Sequence, residues 1–370
     1  MDFSTTMIIY LSVYVITIIY LVVLGCYMLF LKDHPLSSHG ELVAKRRMTR
    51  IMGIAVFVEA FEWFVYLPPI LSGLQPNDPI YDVFTLVMIM LLTPAIFCVM
   101  FAVVQRKVNN LRWICGLGMP FLLLAVWQII APPNFRIPLY LGAALSVASY
   151  VFLLVRFAKE YRIYLRRIQS EYSDTTGRDI AWSWISFSGF AVQGILFVVY
   201  EIFWSYTLEF LYHLFTILNF GYLCFCISRQ RTIDVDIVNE NDRLDKLTNK
   251  DENGNPTPSL QGMSGEALEQ KLRTMCEDKL LFLTPDITLE TLALRLGTNR
   301  TYMGIYFRER NLTFYQYINT LRIEYATRLM QDNPHLSLRK VAEQSGFRSQ
   351  PTFRKAFQEV MGCLPSEVKK

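Results

Sequence analysis

Residues 346–365 read GFRSQPTFRKAFQEVMGCLP. Phe353, Ala356, Phe357 and Val360 recur at i, i+3, i+4 and i+7, the apolar stripe of one helix face. Arg354, Lys355 and Gln358 fall off that stripe. A short helix with a packed back and a basic front suits a DNA groove. Yet about 230 residues of mostly apolar sequence precede the C-terminal part of the chain.

The pattern occurs twice. In LETLALRLG, Leu289, Leu292, Ala293 and Leu296 share a face closed by Gly297, and NRTYMGIYFRER follows with Met303, Tyr306 and Phe307 inward. About 50 residues later LRKVAEQSG repeats the first helix with Leu338, Val341, Ala342 and Gly346. Ala293 aligns with Ala342, Gly297 with Gly346, Met303 with Phe353 and Phe307 with Phe357, the second turn being one residue longer. Two helices joined by a short Gly-containing turn form a helix-turn-helix unit. Between the copies, FYQYINTLRIEYATRLMQ predicts one uninterrupted helix, N-capped by Thr313 and ended at Asn333–Pro334. Its length of roughly 27 Å, with the flanking motifs, would set two reading helices about one DNA turn apart.

The last ~90 residues resemble the DNA-binding domain of AraC-type bacterial transcription regulators. The resemblance rests on Leu292–Ala293 with Gly297, then Phe307, Tyr317, LRI at 321–323, Ala326, VAEQSGF at 341–347, Phe353, Ala356–Phe357, Gly362 and Pro365. It covers about a quarter of the chain. It implies sequence-specific binding of double-stranded promoter DNA and control of transcription. It carries base-reading positions onto Arg300, Thr301 and Gly304 in the first reading helix, and onto Gln350, Pro351, Arg354 and Lys355 in the second. Gly304 and Ile305 depart from the family's pattern, standing where polar readers often sit. Either Gly304 admits a close backbone approach, or the first unit reads DNA shape.

Composition divides the chain. Hydrophobic residues make up 52% and charged residues 18%, against a usual ~25% charged. Residues 1–231 hold 30 of the 68 charges and residues 232–370 the other 38. From residue 279 onward, 14 Lys/Arg stand against 8 Asp/Glu, whereas residues 232–262 hold 3 against 7. The positive excess therefore lies where phosphate contacts are expected. The seven cysteines show no CxxC and no Cys/His cluster, so neither a zinc site nor a disulfide framework is expected.

Crossing ~30 Å of hydrocarbon takes about 20 apolar helical residues. Seven stretches qualify: 7–31, 51–73, 83–105, 113–131, 137–157, 182–204 and 210–228. The N-terminus, MDFSTT, lacks the basic start of a signal peptide, and the first stretch reads as a retained span. Lys32, Lys45, Arg46, Arg47 and Arg50 follow span 1; Arg106, Lys107 and Arg112 follow span 3; Lys159, Arg162, Arg166, Arg167 and Arg178 follow span 5; Arg229 and Arg231 follow span 7. The opposite segments offer only Arg136. By the positive-inside rule the N-terminus is outside and the C-terminal half cytoplasmic. Trp63, Trp127, Trp204 and Tyr206 fall toward outer ends, as an interfacial aromatic belt would. With the resemblance, this predicts a multi-pass protein of a bacterial cytoplasmic membrane in contact with lipid.

Polar residues within spans are costly and point to function. Glu59 and Glu62 share a face of span 2, Gln193 and Glu201 lie in span 6, and His213 and Asn219 lie in span 7. They are candidates for an outward-facing ligand pocket, the alternative being hydrogen bonds that hold helices together. Span 7 has no lysine, which excludes a retinal Schiff base. No HExxH, GxSxG or Walker A motif occurs, and no catalytic residue, metal or cofactor is expected.

The expected fold class is all-α: a seven-span domain (1–231), a signalling helix and linker (232–263) and an AraC-type domain (264–370). Ile233, Ile237, Leu244 and Leu247, interrupted by Glu240, suggest a coiled-coil or plain amphipathic helix. NKDENGNPTPSLQGM reads as linker and Ser264 as the next N-cap. The function expected is a membrane-anchored regulator sensing a small molecule or envelope signal, with a homodimer as one arrangement. The alternatives are a factor released by proteolysis, or a transporter or membrane enzyme with a regulatory tail.

Overall fold

The computed structural model describes residues 3–31, 39–71, 79–105, 111–132, 135–203, 205–233, 265–278 and 280–368. Among these the chain is all-α, its one β contact being an isolated antiparallel bridge between Tyr172 and Thr288. Two units form: residues 1–162 with 179–235, and residues 163–178 with 236–370. Residues 234–264, which hold Ile237, Leu244, Leu247, the linker and Ser264, lie outside the described residues, as do Lys32, Arg106, Lys107 and Trp204.

The first unit is built from α1 (Phe3–Phe30), α2 (His39–Leu71), α3 (Pro79–Val103), α4 (Leu111–Ile130), α5 (Ile137–Glu171), α6 (Trp182–Ile202) and α7 (Tyr206–Arg229). The last turns of α5 belong to the second unit. The shortest of the seven, α4, has 20 residues, or about 30 Å at the helical rise, the thickness of a hydrocarbon core. Among the described residues, four helices contain stretches both long and apolar enough to cross a membrane: Leu11–Phe30, Ile80–Val103, Ile137–Glu171 and Thr207–Arg229. A shorter apolar stretch, Cys115–Ile130, lies in α4.

Neighbours in the unit run α4, α3, α2, α1, α7, α6, with α2 also touching α7. α5 meets α6 through Phe157, whose ring lies 4.6 Å from Phe187 and 5.2 Å from Trp184. Large apolar side chains such as Phe30, Leu123, Ile130, Val155, Ile195 and Leu218 face outward, while Glu59, Asp82, Ser183, Ser186, His213 and Thr216 are buried. Apolar side chains thus face outward as well as inward, and a set of polar side chains is buried within an otherwise apolar core. One expectation changes here. Trp63 is buried rather than interfacial, because its indole packs against Tyr14, Tyr212 and His213. Arg136, the exception among the positive charges, is held by an ion pair with buried Asp82 at 2.6 Å.

In the second unit, α8 (Gly265–Arg273) runs into a π-helical turn and is followed by a 3₁₀ turn at Leu281–Leu283. Then come α9 (Leu289–Leu296), α10 (Arg300–Glu309), α11 (Phe314–Asp332), α12 (Leu338–Gln344), α13 (Gln350–Met361) and the short α14 (Pro365–Val368). Side-chain caps start them: Thr288 for α9, Asn299 for α10, Ser337 for α12 and Ser349 for α13. Thr313 caps α11 in a reciprocal box with Gln316, as the sequence predicts.

Each helix pair has its own core. Leu289, Leu292, Ala293, Leu296, Met303, Tyr306 and Phe307 pack around Phe314 and Ile318 of α11. Val341, Ala342, Phe347, Phe353, Ala356 and Phe357 pack around Ile323, Ala326 and Met330 of the same helix. α11 is therefore the shared beam, one end buried in each unit of the repeat. Val360 departs from its expected place on the buried stripe and is 37% exposed, one turn beyond the last core contact of α13.

Candidate nucleic-acid interface

The second helix pair presents a clear outward row. Phe353, Ala356 and Phe357 turn α13 inward, so Gln350, Pro351, Arg354 and Lys355 are exposed on its other side. Full burial of Phe353 and Phe357 stabilises this orientation by about 1.5–3 kcal/mol per side chain. Pro351 sits in the first turn, where its missing N–H costs nothing. The helix stops at Gly362, whose φ of 72° is left-handed. The row offers an amide, a guanidinium and an ammonium, donors suited to base edges and phosphate oxygens.

The first pair is different. Thr301 and Gly304 are partly exposed on α10, and a Cβ added at Gly304 would meet open space. Arg300, the first residue of α10, does not project freely. Its Nε donates to Glu171 Oε2 and its Nη2 to Glu171 Oε1, both at 2.8 Å. The side chains are 11% and 3% exposed. Such bidentate guanidinium–carboxylate pairs are the strong kind.

Glu171 belongs to a segment that sequence reading passed over as part of a basic loop. Residues 163–178 pack with the second unit. Ser173 Oγ donates to Ile287 O at 2.8 Å, and Asn319 Nδ2 donates to Ser173 O at 3.2 Å. Thr176 Oγ1 lies 3.0 Å from Thr352 Oγ1, in the first turn of α13. Tyr172 bridges to Thr288. The Arg178 guanidinium lies 3.9 Å from the Tyr172 ring centroid, shaping the segment's own turn. Tyr164, Ile168 and Tyr172 recur at i, i+4 and i+8 and are buried, but helical spacing does not say what a face packs against.

Between the two cores sits Arg322, 1% exposed. Its Nε donates to Phe282 O at 2.7 Å, and its Nη2 to Thr284 O at 2.8 Å and Pro285 O at 3.3 Å. Burial pushes its pKa down to about 10, still leaving it charged at neutral pH. It is a structural clamp rather than a reader.

A second candidate cluster lies within the first unit. Trp63 Nε1 donates to Glu59 Oε1 at 3.2 Å. Gln193 Nε2 donates to Thr216 Oγ1 at 3.1 Å and to Tyr212 OH at 3.3 Å. His213 Nδ1 lies 3.1 Å from Thr17 Oγ1, its ring 4.2 Å from Trp63 and 5.1 Å from Tyr14. Glu59 Oε2, Glu62 Oε2, Gln193 Oε1 and His213 Nε2 are buried without a hydrogen-bond partner among the described residues. Of the sequence candidates, Glu59, Gln193 and His213 share this aromatic-lined polar core, with Glu62 one turn along from Glu59. Asn219 instead packs on Gly189, where an added Cβ would lie 2.6 Å from Asn219 Oδ1. The side chain of Glu201 lies outside the described residues. Among the described residues no His, Cys, Asp and Glu group could hold a metal ion.

Residues 292–370 match the family model of a helix-turn-helix domain, here of the AraC type. Among curated proteins, the Melibiose operon regulatory protein of Escherichia coli strain K12 is 33% identical over 85 residues, 23% of this chain and 28% of the relative. The protein of the same description from Escherichia coli O6:H1 matches equally. The chain thus spans little more than a quarter of the length of these relatives. No solved structure matches it.

Proposed function

We propose that this chain is a membrane-embedded transcription regulator. Its C-terminal unit binds promoter DNA sequence-specifically, and its seven apolar helices receive an extracellular or membrane signal. The observation that carries the reading is α13. It holds Phe353, Ala356 and Phe357 in the core and turns Gln350, Pro351, Arg354 and Lys355 outward on a match to a helix-turn-helix domain. α13 is the better-equipped reader; α10 contributes Arg300 and Thr301, with Gly304 leaving its middle open.

Membrane embedding is supported by the apolar exterior of the first unit and the four helices of sufficient length and apolarity. The loop charges favour a cytoplasmic C-terminal unit. Glu59, Gln193 and His213, with Trp63, Tyr14 and Tyr212 around them, are the proposed signal-receiving core, because their unpartnered polar atoms are costly in hydrocarbon unless a ligand or proton satisfies them.

Chromatin immunoprecipitation with sequencing, on cells with and without deletion of neighbouring genes, tests the reading. Discrete promoter peaks that disappear with an Arg354→Ala, Lys355→Ala variant are expected. Absence of any peak from a membrane-localised chain overturns it.

A further inference from the structure

The surface that carries Arg300 is already occupied by the chain itself. We propose that residues 163–178 form a docking element that engages the first turns of the two reading helices, with Glu171 standing where a DNA phosphate would, and that DNA binding requires its release. This rests on the DNA-binding reading above and goes beyond it by assigning an internal competitor.

Four contacts define the docking. Glu171 engages Arg300 at the first residue of α10 through two hydrogen bonds of 2.8 Å. Tyr172 pairs with Thr288, the cap of α9. Ser173 is fastened by Ile287 and by Asn319 of α11. Thr176 reaches Thr352 in the first turn of α13. The segment therefore touches the N-terminal turns of both reading helices. Those turns are the parts of such helices that contact base edges. Occupation by this segment and by DNA is mutually exclusive at Arg300, because one guanidinium fork cannot serve a carboxylate and a phosphate in the same bidentate geometry. Asp174 adds a second negative charge, acting favourably on Arg322.

Glu171 is also the last residue of α5, which runs unbroken from Ile137. The residue that holds Arg300 thus ends a helix whose first turns are apolar enough to lie in a bilayer. The chain is thus continuous from span 5 to Glu171, and the last step to the reading helices is the non-covalent Glu171–Arg300 pair.

The full chain in lipid nanodiscs, titrated with a short random-sequence DNA duplex across a salt series, tests the proposal. Glu171→Gln keeps the side chain's size and removes the charge that competes for Arg300. It should tighten duplex binding by about tenfold and steepen the salt dependence by about one phosphate contact. Adding Arg300→Ala should remove the gain in slope. Independently, a Thr176→Cys, Thr352→Cys pair should close to a disulfide under oxidation. Duplex binding should then fall, and return on reduction. The proposal is overturned if Glu171→Gln binds no more tightly at an unchanged slope. It is equally overturned if the disulfide does not form, or if oxidised and reduced proteins bind alike. Absence of duplex binding by every variant, oxidised or reduced, would instead overturn the DNA-binding reading itself.

Discussion

Gly346 lies against the backbone of Leu283, so close that a Cβ at 346 would stand 2.7 Å from the Leu283 carbonyl oxygen. Its φ is 79°, a left-handed conformation that residues with a side chain rarely adopt. Backbone strain and a clash with main chain coincide here. Gly346→Ala should destabilise the C-terminal unit by about 2–4 kcal/mol, read as a lowered melting temperature in thermal unfolding.

Gly304 is the opposite case. It sits inside α10 with open space where a Cβ would go. Gly304→Ala should stabilise by about 0.5–1 kcal/mol, the helix-propensity difference alone. The same thermal melts provide the check, with the shift upward rather than downward.

Arg322 supplies hydrogen bonds to the carbonyls of Phe282, Thr284 and Pro285 from a buried position. Arg322→Leu should cost about 3 kcal/mol or more, since each carbonyl left unpaired costs about 1–3 kcal/mol. Arg322→Lys should rescue little, because an ammonium cannot reproduce the planar fork. Chemical denaturation of both variants separates lost geometry from lost charge.

Arg354 and Lys355 are exposed. Replacing either with Ala should leave the melting temperature unchanged and weaken promoter binding by about 1–3 kcal/mol where the side chain reads a base. Fluorescence anisotropy on a fragment recovered by immunoprecipitation measures this. Unchanged affinity in both variants would remove α13 from the reading role.

Glu59 shares a polar core with Trp63, Gln193 and His213 within the first unit. Glu59→Gln should abolish the signal-dependent change of a promoter reporter while leaving duplex affinity unaltered. A variant that responds normally would return this cluster to a packing role.

The helix-turn-helix repeat was legible because its signals are local. Leu292, Ala293, Met303, Phe307, Val341, Phe353 and Phe357 show helical spacing, and all are buried. The left-handed turns at Gly297 and Gly346 and the Thr313 cap depend on residues within a few positions. Val360 marks the limit of local periodicity: it keeps the helical spacing of the buried stripe yet is 37% exposed. Trp63 shows the limit in the bundle. Aromatic type and position along a span suggest an interface, but Tyr14 and His213, from other helices, draw the ring inward.

By itself the sequence determined the all-α class, the two helix-turn-helix units joined by one helix, and the polar candidates in the apolar half. These follow from periodicity, capping and solvation, which act over a few residues. Only the tertiary structure decided that Arg300 is engaged by Glu171, that residues 163–178 pack with the DNA-binding unit, and that Glu59, Gln193 and His213 meet while Asn219 packs elsewhere. Arg300 and Glu171 are 129 positions apart. No local rule couples charges at that separation; folding brings them together, and burial turns an ordinary pair of surface ions into a specific contact.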